Sequence, residues 1–231
     1  MYRARLSKAL PEVRDRMARA AQTAGRDPDA VQLVAVTKGH PLEAIEAALE
    51  AGLTHLGENR VEELEEKVGA VGPGRATWHM IGHVQSRKAP RVAEVAHLIH
   101  SVDSFHLAER LSRAAGERGH EVRVLAQVNT SAEESKSGLG AEAAVDAVLR
   151  MAELPHLRVD GLMTMAPFVD DEEILSLTFR RLRDALEEVR RHDHAVGGEL
   201  SMGMTNDLEI AIREGSTMVR IGTALFGERA R

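Results

Sequence analysis

Leu33-Val34-Ala35-Val36-Thr37-Lys38 is the stretch on which the reading of this chain turns. It is an unbroken apolar run with β-branched members that ends in a lysine, the pattern of a strand buried on both faces. A lysine at the end of such a strand reaches inward from the mouth of a barrel or sheet. Holding its ammonium there is costly unless the pKa falls or a partner neutralises it. An amine made neutral in this way condenses with a carbonyl. Only five of the 30 basic residues are lysines (Lys8, Lys38, Lys67, Lys88 and Lys136), so a lysine at a strand end stands out from the background.

Working outward from that strand, the pattern is repetitive. A preceding helix over residues 4–24 carries Leu6, Leu10, Val13 and Met17 on one face. After the first strand, Pro41 opens a helix that Gly52 closes. Strands follow at 53–56, 77–81, 98–102, 122–128, 159–165, 199–202 and 217–221, each leading into a helical segment. Strands alternating with helices imply parallel pairing through right-handed crossovers. Eight such units in 231 residues predict an α/β fold, a single (β/α)₈ TIM barrel with an extra N-terminal helix. The whole chain, 1–231, reads as one domain, with residues 1–27 packed on the barrel. A doubly wound open sheet is the alternative.

Composition excludes several function classes. The chain has no cysteine, which removes disulfides, thiolate nucleophiles and cysteine-based metal sites. Its formal charge is -6 with both signs interspersed, so it carries no footprint for nucleic acid or an anionic membrane. No run approaches a transmembrane length and no apolar signal segment opens the chain, which predicts a cytoplasmic location.

In a barrel of this kind the chemistry sits in the loops after the strands. Lys38, Asn59, Gly82-His83, Asn129, 163–167, Ser201 and Gly222-Thr223 all fall there. Ser201-Met202-Gly203-Met204 and Arg220-Ile221-Gly222-Thr223 follow strands seven and eight, where such barrels frequently bind a phosphate. Gly222 permits close approach of an anion, backbone N–H groups at the start of the last helix face it, and the Ser201 and Thr223 hydroxyls add donors. An amine on strand one and a phosphate cradle across the mouth together describe a site for pyridoxal 5′-phosphate. Arg220 adds a third point, because a guanidinium beside the pyridine nitrogen cannot accept its proton and weakens the electron sink.

These stretches resemble the YggS/PROSC group, the pyridoxal phosphate homeostasis proteins, which share the barrel of the alanine racemase N-terminal domain. The matching segments are Val34-Ala35-Val36-Thr37-Lys38, Gly57-Glu58-Asn59, Trp78-His79-Met80-Ile81-Gly82 and Val128-Asn129 followed by 134–138. Gly161-Leu162-Met163 and the run 200–227 complete the set. The resemblance implies that Lys38 carries the cofactor as an internal aldimine. It implies that Ser201, Gly222 and Thr223 hold the phosphate, that Arg220 faces the ring nitrogen, and that Asn59 and Met163 line the ring. Thr37 stands where serine is usual, Gly39-His40 follow the lysine where threonine or a similar residue is expected, and Thr205 replaces a common serine.

A racemase of the related family needs a second base, a tyrosine from a further domain. The only tyrosine here is Tyr2, while His40, His79 and His83 are the possible substitutes. The expectation is therefore a non-catalytic carrier that binds and releases pyridoxal phosphate, with apo-enzymes dependent on that cofactor as possible partners and a monomeric state. It has no catalytic residues of its own and no metal. A weak amino-acid racemase is the alternative, and a sugar-phosphate aldolase using Lys38 is the third. Lys136 is a candidate second attachment point, and Gln85-Ser86-Arg87-Lys88 forms a small basic cluster, read as an exposed helix start. Glu62, Glu63, Glu65 and Glu66 read as a solvated helix face.

Overall fold

A computed structural model describes residues 1–72, 74–131 and 137–228. The expected eight strands are all present: β1 (Gln32–Val36), β2 (His55–Glu58), β3 (Thr77–Met80), β4 (Leu98–Val102), β5 (Val122–Asn129), β7 (Leu157–Met163), β8 (Glu199–Ser201) and β9 (Met218–Ile221). They pair in parallel in chain order, β9 closes on β1 with Arg220 opposite Val34, and β4 joins β5 to complete the barrel. The open doubly wound sheet is thereby excluded.

One further strand lies outside these eight. Leu139–Gly140 forms β6, a two-residue parallel extension of the end of β5, within a stretch that composition alone marks as a polar loop. The Gln127 amide donates to the Ser137 carbonyl at 2.9 Å and ties this stretch to the barrel.

Helices α1 (Tyr2–Thr23), α2 (Leu42–Glu50), α3 (Val61–Val71), α4 (Ala89–Val95), α5 (Phe105–Arg118), α6 (Ala144–Ala152), α7 (Glu172–His192), α8 (Leu208–Arg213) and α9 (Thr223–Phe226) surround the strands. The alternation of β strands sorts the side chains into two layers. Leu33 and Ala35 of β1 face the helices and join the main core, together with Leu56, Trp78, Ile99, Val124 and Leu162. Burying each Leu, Ile or Val of this set contributes about 1.5–3 kcal/mol. Positions of opposite phase face the barrel axis, where Leu98, Leu125, Met163 and Met218 form a separate small apolar cluster.

Helix α1 buries Leu6, Leu10, Val13, Met17, Ala20 and Ala21 against α2, α8 and α9. Arg16 fixes its far end, pairing with Glu209 at 2.6 Å and donating to the Thr205 carbonyl at 2.8 Å. The same helix places Tyr2 against His40 just beyond β1, ring to ring at 5.7 Å.

Close backbone approach demands glycine at several positions, 161 and 82 among them. Gly161 has φ of +151°, and a Cβ there would lie 2.0 Å from the Glu199 carbonyl oxygen, so only glycine permits β7 to pair with β8. Gly82 packs on the backbone of Asn59, with a virtual Cβ 2.2 Å from its carbonyl oxygen.

Candidate functional site

The C-terminal ends of β1 and β9 lie side by side. Ala35 pairs with Ile221, which sets Val36 opposite Gly222 and Lys38 two residues further along the rim. Lys38 is half-buried in a turn directly after β1. A Cβ on Gly222 would come within 3.2 Å of the Val36 carbonyl and 3.3 Å of the Val36 Cβ, so the bare backbone lets the two loops converge. Thr223 is exposed at the first turn of α9.

The backbone that carries Lys38 is clamped from behind. The buried Lys67 ammonium of α3 donates to the Thr37 carbonyl at 2.8 Å, to Glu58 at 2.7 Å and to Glu63 at 2.7 Å. The Thr37 hydroxyl donates to the same Glu58 oxygen at 2.6 Å, and the Gly39 N–H donates to Glu63 at 2.6 Å. Glu58 is fully buried, and burial pushes its pKa up against the pull of Lys67. Residues 37 and 39 are thus both fixed, on either side of the lysine. Sequence alone places Glu62, Glu63, Glu65 and Glu66 on a solvated face, but Glu63 belongs to this clamp. Glu62 and Glu65 instead meet Lys88 and Arg91 from the neighbouring segment. The basic cluster 85–88 is accordingly tied to α3 through Lys88.

Arg220 is the buried cation of the site. Its guanidinium donates to Ser201 Oγ at 2.6 Å and to the Thr164 carbonyl at 3.0 Å. Burial lowers its pKa to about 10, with the Asp207 carboxylate opposing the shift, so it stays charged at neutral pH. Asp207 is itself buried, which raises its pKa, and it accepts the Met204 N–H at 2.5 Å, bracing the loop after β8. Gly203 in that loop adopts φ of +98° and its carbonyl accepts from the Arg220 N–H at 2.9 Å.

The remaining expected site residues divide in place. Asn59 stands half-buried at the end of β2, held against Gly82. Met163 is buried within the apolar cluster on the barrel axis. Ser201 is fully buried, and its hydroxyl is engaged by Arg220 and by His100 Nδ1 at 2.8 Å. Lys136 lies outside the described residues. Lys38, Asn59, Gly222 and Thr223 thus all follow the C-terminal ends of barrel strands, with Arg220, Ser201 and Met163 buried inside the barrel below them.

The three histidines considered as alternative bases do not converge. His79 is buried inside the barrel, His83 is exposed and paired with Asp103 at 3.1 Å, and His40 is buried between Tyr2 and Phe226. Among the described residues no group of His, Asp and Glu is arranged to hold a metal ion, and no helix is long and apolar enough to cross a membrane.

Sequence reasoning missed the Lys67–Glu58 clamp and the partners of Arg220 inside the barrel. The available signal was phase. His55, His79 and His100 occupy inward positions of strands whose other residues are largely apolar, and Glu58 sits on a helix-facing position.

Comparison with known proteins identifies the family and the fold. Residues 9–230 match the model of the alanine racemase N-terminal domain family. Pyridoxal phosphate homeostasis proteins of Pseudomonas aeruginosa and Aquifex aeolicus are 40% and 38% identical to the chain, over 97% and 95% of it and 96% of each relative. The structure of PipY from Synechococcus elongatus with pyridoxal phosphate bound is 36% identical, with a TM-score of 0.80 over 92% of this chain and 100% of that one. An alanine racemase from Clostridium difficile is 14% identical, with a TM-score of 0.81 over 99% of this chain but 58% of the racemase, a likeness of fold.

Proposed function

The chain belongs to the pyridoxal phosphate homeostasis protein family, and from that premise we propose that it holds pyridoxal 5′-phosphate at the C-terminal mouth of its barrel and acts in homeostasis of that cofactor. The observation that carries the reading is the juxtaposition of a clamped Lys38 with the buried Arg220 guanidinium and the bare Gly222 backbone on adjacent strands. The cofactor supplies an aldehyde that condenses with an amine, and a ring whose absorbance reports the bond. Lys38 supplies the amine, oriented by the Thr37 and Gly39 contacts on either side of it. Gly222 and Thr223 offer the phosphate backbone N–H groups and a hydroxyl at the start of α9. Arg220 presents only donors toward the ring nitrogen and, being already charged, disfavours its protonation. Asn59 flanks the ring, and Met163 supplies the apolar floor beneath it. Ser201 serves the site through Arg220, whose guanidinium it accepts from.

The whole chain serves as one binding domain in this reading, monomeric and without catalysis of its own. His79, the histidine of the three within the barrel wall, is occupied on both ring nitrogens by His55 and His100, and so is not placed to shuttle a substrate proton. Exchange with apo-enzymes that need the cofactor is the corresponding role.

Titration with pyridoxal 5′-phosphate tests the binding: a visible band in the native protein, lost in Lys38→Ala, is the expected result, and a band that survives the substitution sinks it. Incubating the loaded protein in heavy water with a panel of amino acids tests the absence of catalysis. Loss of an α-proton above the rate of free cofactor, dependent on Lys38, would make the protein an amino-acid enzyme.

A further inference from the structure

Behind Arg220, a line of polar side chains crosses the interior of the barrel. His100 Nδ1 meets Ser201 Oγ at 2.8 Å, His100 Nε2 meets His79 Nδ1 at 2.8 Å, and His79 Nε2 meets His55 Nδ1 at 3.0 Å. The line thus runs from β9 through β8 and β4 to β3 and β2. It starts at the cation near the mouth and ends at His55, half-buried at the opposite end of its strand. Ser201 and His100 are fully buried and His79 nearly so. The chain of contacts is linear, so it does not converge on a point where an ion could sit.

We infer that His79 and His100 are positioning residues for Arg220, forming with Ser201 and His55 a hydrogen-bonded relay of one fixed polarity that holds the guanidinium from inside the barrel. The polarity follows from the chemistry of the ends. A guanidinium has only donors, so Arg220 donates to Ser201 Oγ. The Ser201 hydroxyl proton then needs an acceptor, and His100 Nδ1 is the one in reach. The opposite arrangement, with His100 Nδ1–H donating to Ser201, leaves that buried hydroxyl proton without a partner, at a cost of about 1–3 kcal/mol. His100 with Nδ1 accepting carries its proton on Nε2 and donates to His79 Nδ1. By the same step His79 carries its proton on Nε2 and donates to His55 Nδ1. Every bond points away from Arg220, and the rings share one tautomer.

The relay requires neutral imidazoles, since a ring with two N–H donors breaks the sequence. Burial supplies this: it lowers the His79 pKa to about 3, helped by His55, His97 and Arg123, and carries His100 well below its ordinary value, helped by His79 and Arg220. Aligned hydrogen bonds polarise one another in the low-dielectric interior. The orientation of Arg220 therefore depends on two rings that sit behind it and reach it through Ser201.

The relay is a property of the cofactor-free protein; only its consequence at the ring rests on the proposed function. Two measurements keep these apart. In the first, cofactor-free protein labelled with ¹⁵N-histidine is observed by long-range ¹H–¹⁵N correlation at neutral pH. The expected result is the Nε2–H tautomer for His79 and His100, with Ser201→Ala releasing His100 into a tautomer mixture. An Nδ1–H tautomer at either ring, or a charged ring, overturns the proposal whether or not the protein binds cofactor.

In the second, pyridoxal 5′-phosphate is titrated into native protein, His100→Leu and His100→Asn. The asparagine carbonyl restores the acceptor for Ser201, whereas leucine does not. His100→Leu is expected to weaken binding on the order of tenfold and to shift the visible band, while His100→Asn stays within about twofold of native. A folded His100→Leu with native affinity and an unmoved band overturns the positioning role. Failure of the native protein to bind at all would strike the proposed function and leave the tautomer result standing.

Discussion

Lowering the pH from 7 to about 5.5 is expected to destabilise the cofactor-free protein through the two buried histidines. His79 and His100 both titrate in the folded state far below the ordinary value of 6.5, because burial penalises their charged form. The unfolded chain binds a proton on each as the pH falls through about 6.5, and the folded state does not follow until much lower pH. The sign is therefore fixed: stability contributed by these groups is complete above pH 6.5 and is lost as acid is added. Across the interval from pH 7 to 5.5 the loss is about 1.3 kcal/mol for His79, and His100 adds to it in the same direction. Carboxylates with ordinary values contribute little in this interval. Urea unfolding at the two pH values, at fixed ionic strength, measures the net difference, which the burial-raised Glu58 and Asp207 carboxyls oppose. His55 and His97, also depressed by burial, add to it in the native protein. The decisive comparison is accordingly His79→Leu, which is expected to reduce the pH-dependent difference by about 1.3 kcal/mol whatever it does to stability at pH 7. A variant that keeps the full native difference refutes the claim that His79 is buried neutral.

Three further outcomes follow from the geometry around Lys38 and the helix ends. Lys67→Met strands the buried Glu58 carboxylate and is expected to cost about 3–5 kcal/mol in chemical denaturation, with Glu58→Gln in the same chain recovering much of the loss; a cost below 1 kcal/mol would show the clamp to be solvated. Gly82→Ala pushes a methyl into the Asn59 carbonyl and is expected to cost about 1–3 kcal/mol and to weaken pyridoxal 5′-phosphate binding on the order of tenfold, read by denaturation and titration. Asp171 caps α7 by accepting the Glu173 and Ile174 N–H groups, so Asp171→Ala is expected to lose about 1 kcal/mol, with no change in the visible band.

The strand order, the parallel pairing and the position of Lys38 were legible because they depend on local pattern. An apolar run such as 33–36 has few alternatives to a buried strand, and regular alternation with amphipathic helices leaves the closed barrel as a natural solution. The rim residues after β1, β8 and β9 were legible for the same reason, since loop position follows once the strands are placed. Leu139–Gly140 was not, because a two-residue strand has no period to detect and is defined by its partner Val128–Asn129.

Which polar groups meet depends on closure of the barrel. Ser201 and His100 are about a hundred residues apart, and Lys67 reaches Thr37 across thirty. Nothing in the spacing of either pair distinguishes them from solvated residues. In the sequence, a histidine on β4 and a serine on β8 each carry a bland local reading. Closing the barrel brings their inward faces together in a medium where an unmade hydrogen bond is expensive, and that penalty selects the partners. Local pattern is enough to set where the strands run and which rim carries the lysine. The low dielectric inside the closed barrel decided how Arg220 and Lys38 are held.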